Sequence, residues 1–409
     1  MKLASLLERR IGIKYYWDDQ PGTKGILKKY PEDFVVQELI TKELVAPLDP
    51  LEKIELPGRP GLFVHAIIRK RLVDHFTMER AVEKYFKIGN KDIGLAGIKD
   101  TVAVTSQRIS LWLPNKPLPK EPIELLGGII TIFGWQRKID QVYIGDLLGN
   151  RFKITVRDPE TIPENLLDRL STPKPNYYGI QRFGEKRPIS HLVGLALIKG
   201  NYEEAVRIFI GDTTGTEEEE IKKIREMYLN GTASPREIAD LLPNKRILEK
   251  KVLYFLDNHP NDFLGALKQL PERLLHLQVY AFQSFIFNQY LSIRMENDPF
   301  KPIPGETRGE ETGMVLAPIP GGKKNIHGEA RKIYQEILSQ YGLDIKDINP
   351  PPETKIFIRR IFRDLFLIPR KSHVSFSDDK NYYVIRFDLR KGQYATSVLR
   401  EIMKSEYVI

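Results

Sequence analysis

Apolar residues recur at every second position in some stretches and at every third or fourth in others, and the changes of period divide the chain. Phe152, Ile154 and Val156 alternate with Arg151, Lys153 and Arg157, which predicts a strand with one core face and one basic face, suited either to solvent or to a phosphate backbone. Residues 61–68 predict another strand, in which His65 reads as an ordinary sheet residue, followed by the basic run Arg69-Lys70-Arg71. Pro31-Glu32-Asp33 predicts a turn that leads into a Phe34-Val35-Val36 strand, with Lys28 just ahead of the turn. From Thr77 the spacing of Met78, Ala81, Val82, Tyr85 and Phe86 is helical, with Gly89 as a stop. Residues 114–122 carry too much proline for a helix or central strand, and strands resume near 129–133.

From about residue 190 to 290 the character is helix after helix. Ser234-Pro235-Arg236-Glu237 is a capping box, and the acidic run 217–220 reads as a solvated helix N-terminus without a function. Residues 277–295 are apolar almost all round, so the helix they predict is buried, and Gln278, Gln283, Ser284 and Asn288 need internal partners. Residues 302–322 predict loops or short strands, and Arg359, Arg360, Arg363, Arg370 and Lys371 form a second basic concentration. The chain closes with a strand at 383–389, a break at Gly392 and a helix over 395–404.

Against this background one stretch stands out, Gly94-Leu95-Ala96-Gly97-Ile98-Lys99-Asp100-Thr101-Val102-Ala103-Val104-Thr105-Ser106-Gln107. Its two glycines and the return of β-branched residues predict a strand, a tight loop and a second strand, with Asp100 presented on the loop. A carboxylate held there is a candidate nucleophile or acid/base group, although an aspartate that caps its own turn is the commoner meaning of the pattern.

Composition narrows the chemistry. The chain has 409 residues, 41% of them hydrophobic, enough for two domains with real cores, and no cysteine, which excludes disulfides, thiolate catalysis and Cys-ligated metals. Its seven histidines are scattered singly, and no GxGxxG, GxxxxGK[S/T] or HExxH pattern occurs. A formal charge of +9 points to a polyanionic partner or to a basic surface kept for solubility. No run of 18 apolar residues and no charged-then-apolar leader is present, which leads us to expect a soluble cytoplasmic protein without a membrane partner. Asn176-Tyr177-Tyr178-Gly179-Ile180-Gln181-Arg182-Phe183-Gly184 gathers aromatic faces, amides and an arginine, as needed to hold an unstacked base, or simply to anchor a loop.

Six pieces in order resemble the TruD family of transfer-RNA pseudouridine synthases. They are Leu27-Lys28 with Pro31-Glu32-Asp33-Phe34; Ala96 to Asp100 with Ala103, Thr105 and Gln107; residues 145–152; residues 176–184; Gln283-Ser284 with Phe287-Asn288; and Tyr394-Ala395-Thr396 with Leu399-Arg400-Glu401. The resemblance implies that Asp100 is the catalytic aspartate, that Lys28 is the basic residue of the site, and that Asn176 and Tyr178 belong to the uridine pocket; we further expect Lys99, Gln107 and Arg182 to bind substrate. It implies an α+β fold, a mixed or antiparallel-sheet core with a largely helical insertion, which we expect to divide as a catalytic domain over 1–189 with 371–409 and an insertion over 190–370. It further implies a tRNA substrate, the uridine at position 13, with no cofactor, no metal and no obligate protein partner. Thr101 stands where the family often has lysine and Gln393 where serine is frequent, which affects a peripheral RNA contact and not the nucleophile.

The chemistry fits what the sequence lacks, because moving uracil from an N1 to a C5 link with ribose needs no redox step, metal or nucleotide. An attacking carboxylate must be ionised, and a cation close to an aspartate favours that form by roughly 1–3 pKa units. Lys28, and secondarily Lys99, are the cations expected near Asp100. Two other classes stay open on the residues alone. A non-catalytic RNA-binding or chaperone protein explains charge and aromatics, and a carboxylate hydrolase of glycosides would want a second acid.

Overall fold

Alternating stretches become one sheet. In a computed structural model, which describes residues 1–322 and 325–405, nine strands pair: β1 (Phe34–Leu39), β2 (Phe63–Arg71), β3 (Ile93–Leu95), β4 (Val104–Trp112), β5 (Ile123–Leu125), β6 (Ile130–Lys138), β7 (Gly149–Arg157), β8 (Arg370–Phe376) and β9 (Tyr382–Arg390). Their order is β8-β9-β7-β1-β4-β2-β6-β5, with β3 beside β4. β1 runs parallel to β4 while the other pairs are antiparallel, so the sheet is mixed. One edge of β4 is shared: β1 takes Val104 to Ser106 and β3 takes Ile109 to Leu111.

Register puts Phe387, Phe152, Val36, Thr105, Lys70 and Ile130 in a single row across the sheet. On that face two apolar clusters form, one around Phe34, Val36, Phe152 and Phe387 with helix residues Leu399 and Ile402, the other around Ile68, Ile109, Ile130 and Ile132 with Met78 and Val82. Polar residues break the face between the clusters: Glu38, Thr105, Gln107 and Lys70 are each at most 2% exposed.

The expected helix after Thr77 is α1 (His75–Phe86), started by Asp74 and ended by Lys87 in a left-handed conformation rather than by Gly89. The predicted capping box at Ser234 forms, with Glu237 Oε2 accepting from the Ser234 amide at 2.7 Å. The buried helix is α2 (Glu272–Glu296), in which Gln283 donates to the Pro320 and Arg359 carbonyls and Asn288 to those of Ile11 and Tyr178. The closing helix is α3 (Ala395–Met403). The acidic run at 217–220 is not wholly solvated: Glu217 is 7% exposed and paired with Arg225 at 2.7 Å and with Arg246, because the helix it precedes folds its own arginine back.

Two compact units account for the chain. One comprises Met1–Asp19 and Pro175–Phe366, mostly helical, and the other Gln20–Lys174 with the described residues from Leu367 onward, holding the sheet. The division falls at 174/175 and 366/367, and the first 19 residues go with the helices: Ser292 on α2 accepts from the Lys14 amide at 3.1 Å and donates to the Gly12 carbonyl at 3.2 Å.

Candidate active site

Lys28 reaches its position through a stiff local frame. Ile26 exchanges both backbone hydrogen bonds with Arg157 at the end of β7, 2.7 and 3.0 Å, and the following turn is locked by Asp33, 1% exposed, whose carboxylate accepts from the Tyr30 amide and from the Arg157 guanidinium at 2.8–3.0 Å. Between these anchors Lys28 adopts φ +54°, left-handed for a residue with a Cβ and therefore strained. Its ammonium lies 4.4 Å from the centre of the Phe34 ring and 3.1 Å from Asp100 Oδ1. Lys28 is 14% and Asp100 33% exposed at the side chain, so the carboxylate is reachable while its partner is mostly covered.

Asp100 sits on the segment joining β3 to β4. Neither Gly94 nor Gly97 has positive φ, so the expected tight glycine turn does not form. Gly94 serves a close approach instead, since a Cβ there would lie 2.3 Å from the Val142 carbonyl and 2.4 Å from Ser110 Oγ. The segment is held on the polar strip of the sheet. Lys70 Nζ donates to the carbonyls of Asp100 at 2.6 Å, Val73 at 2.7 Å and Lys99 at 3.3 Å.

Lys99, 5% exposed, does not turn toward the Asp100 carboxylate; it lies 3.4 Å from Glu38 Oε2, whose side chain is fully buried. Burial pushes both toward neutrality, the Glu38 carboxyl up and the Lys99 ammonium down, and their mutual attraction opposes the shift in each. Glu38 Oε1 accepts from the Arg108 amide. Among the described residues neither amide atom of Gln107, nor Thr105 Oγ1, has a hydrogen-bond partner. Lys99 thus ties the loop down to Glu38, while Gln107 sits buried on β4 opposite Ile68.

The remaining residues belong to the helical unit. Asn176 donates to the Asp364 carbonyl at 2.9 Å and accepts from Arg363 at 2.7 Å. The Arg363 guanidinium covers one face of the Tyr178 ring, 3.9 Å from its centre, and Phe287 meets that ring edge-on at 5.6 Å. Tyr178 is 7% exposed, and its backbone is paired with the Asn288 amide at 2.9 and 3.0 Å. Arg182 donates to Ser284 Oγ at 3.0 Å. Of the basic face expected on β7, Arg151 is bound to Asp388 and Arg157 to Asp33, leaving Lys153 exposed. His65 is a buried sheet residue whose Nε2 meets the Asp140 carbonyl oxygen at 2.6 Å.

The sequence alone gives Glu38 no role and shows Lys70 and Arg363 only as members of basic clusters. Glu38 had a signal, since it shares a face with Phe34 and Val36 at period two.

Comparison with known proteins agrees over the full length. The sequence model of the family described as tRNA pseudouridine synthase D (TruD) matches residues 10–309 and 306–402. A protein of Pyrobaculum islandicum named probable tRNA pseudouridine synthase D is 32% identical over 98% of each chain, and one of Methanosarcina mazei with the same name is 29% identical over 97% of each. A crystal structure from Methanosarcina mazei, titled for tRNA pseudouridine synthase D (TruD), superposes with a TM-score of 0.74 at 27% identity, covering 98% of both chains.

Proposed function

The chain belongs to the TruD family of tRNA pseudouridine synthases, which are isomerases, and from that premise we propose that it converts a uridine of transfer RNA, the one at position 13, to pseudouridine with Asp100 as the attacking carboxylate. The observation that carries this reading is the Lys28–Asp100 pair at 3.1 Å, a reachable carboxylate held by a mostly covered cation. The reaction breaks the bond from uracil N1 to ribose C1′ and makes one from C5 to C1′. The hydrogen on C5 leaves and N1 gains one, so nothing is oxidised or reduced. Asp100 can act by adding to the sugar carbon or by drawing a proton from the sugar as the base departs. Lys28, 3.1 Å away, sets an opposite charge against the carboxylate and fixes its direction.

A base inside a stack is out of reach of a carboxylate, so the uridine must be turned out at a cost of a few kcal/mol. The resemblance gives the role of receiving it to Asn176 and Tyr178, and Arg363, which covers one face of the Tyr178 ring and bonds Asn176, fixes the surroundings of both. Arg182, paired with Ser284, adds a cation near Tyr178, 5.7 Å from its ring centre. Lys99 contributes by tying the loop to Glu38. The test is to incubate the protein with unmodified tRNA and no cofactor and to map pseudouridine. Modification of one uridine supports the reading; RNA binding without modification favours an RNA-binding or chaperone role, and release of free uracil favours a hydrolase.

A further inference from the structure

Arg69-Lys70-Arg71 looks like a surface basic run, but strand alternation separates its members. Arg69 donates to the Leu48 carbonyl and Thr131 Oγ1, and exposed Arg71 pairs with Glu32. Lys70 projects to the other face, beside Thr105 in the register, and is 2% exposed. An ammonium carries three hydrogens and no acceptor, and Lys70 directs them at three carbonyl oxygens, those of Val73, Lys99 and Asp100. Two of the three belong to the catalytic segment, one to the proposed nucleophile itself. Burying a charged group is unfavourable unless it is well bonded, and an apolar residue would fill the row from Phe152 to Ile130 without that cost.

We propose that Lys70 is a positioning residue, whose ammonium clamps the backbone at Lys99 and Asp100 so that the Asp100 carboxylate is held in its reactive direction. The inference rests on the reading of Asp100 as the reacting carboxylate. Burial lowers the Lys70 ammonium to about 8, opposed by the charge of Asp100, which leaves it protonated at neutral pH with all three donors in use. Its contacts are to main chain, so it acts on the direction of Asp100 and not on the RNA.

Lys70→Met and Lys70→Arg are measured beside Asp100→Asn, by single-turnover pseudouridine formation and by tRNA binding. A misplacement of about 1 Å costs on the order of 100-fold in rate, so Lys70→Met is expected to lose about that much while its Kd for tRNA stays within roughly threefold. Lys70→Arg, which keeps the charge and the donors, is expected to recover at least about tenfold of the loss. A folded Lys70→Met with wild-type rate overturns the proposal, as does a fall in affinity that matches the fall in rate, which would make Lys70 an RNA contact. Arginine no better than methionine overturns it too. If Lys70→Met does not fold, Lys70→Gln, which retains two donors, is judged on the same split between rate and affinity. An inactive Asp100→Asn alongside a normal Lys70→Met would overturn only this inference; an active Asp100→Asn would remove the reading beneath it.

Discussion

Replacing Lys28 by methionine removes the ammonium, which lies over the Phe34 ring as well as beside Asp100, and leaves an apolar side chain of similar length. At the 3.1 Å separation from Asp100, Coulomb's law with an effective dielectric of about 20 gives an attraction of about 5 kcal/mol. That is an upper bound, because the carboxylate is one-third exposed and water screens it. An attraction of even half that size orients the carboxylate, and since a misplacement of about 1 Å costs on the order of 100-fold in rate, Lys28→Met is expected to lose roughly that much. Since Lys28 faces a carboxylate, tRNA affinity should change by less than about threefold. Joining uracil through C5 expels the C5 hydrogen, so single-turnover release of tritium from tRNA carrying [5-³H]uridine reads the chemistry directly. Folding is controlled with Lys28→Gly, which relieves the φ of +54° and should melt no lower than the wild type while losing activity similarly. A near-normal rate with weakened binding would refute the reasoning and make Lys28 a phosphate contact.

Two further outcomes follow from buried groups. Glu38→Leu or Lys99→Met alone leaves a buried partner uncompensated and should cost about 3 kcal/mol of unfolding free energy, whereas the double replacement should recover most of it; simple additivity in chemical denaturation would contradict the pairing. His191, held between Phe183 and Phe285, is lowered by burial to about 4. A depressed folded value means the stability it contributes is complete above the unfolded value near 6.5 and is lost as pH falls toward 4. Relative to His191→Leu, the wild type should therefore lose up to about 3 kcal/mol across that window, and parallel pH profiles would contradict it.

Local signals carried much of the fold. The period of two at Phe152, Ile154 and Val156 and the helical spacing after Thr77 each reflect contacts within one element, and both elements form. What the letters could not carry is which face of a central strand is covered. Lys70 reads as one of three surface cations because alternation alone does not say that another segment will lie on it, and Glu217 reads as solvated because its arginine partners are 8 and 29 residues away. The pairing of Lys28 with Asp100 spans 72 residues and follows no periodicity; the family resemblance anticipated it, and the geometry supplies the physical reason for it. Lys99 illustrates the converse, since adjacency to Asp100 in sequence suggested a cation for the carboxylate, whereas the side chain turns down to Glu38.

The central claim is that the Asp100 carboxylate performs the isomerisation. Asp100→Asn keeps the side chain's size and removes its charge, so single-turnover tritium release and pseudouridine mapping on unmodified tRNA should fall to background while tRNA affinity stays within several-fold. Pseudouridine formation by that variant at a rate near the wild type's would contradict the account.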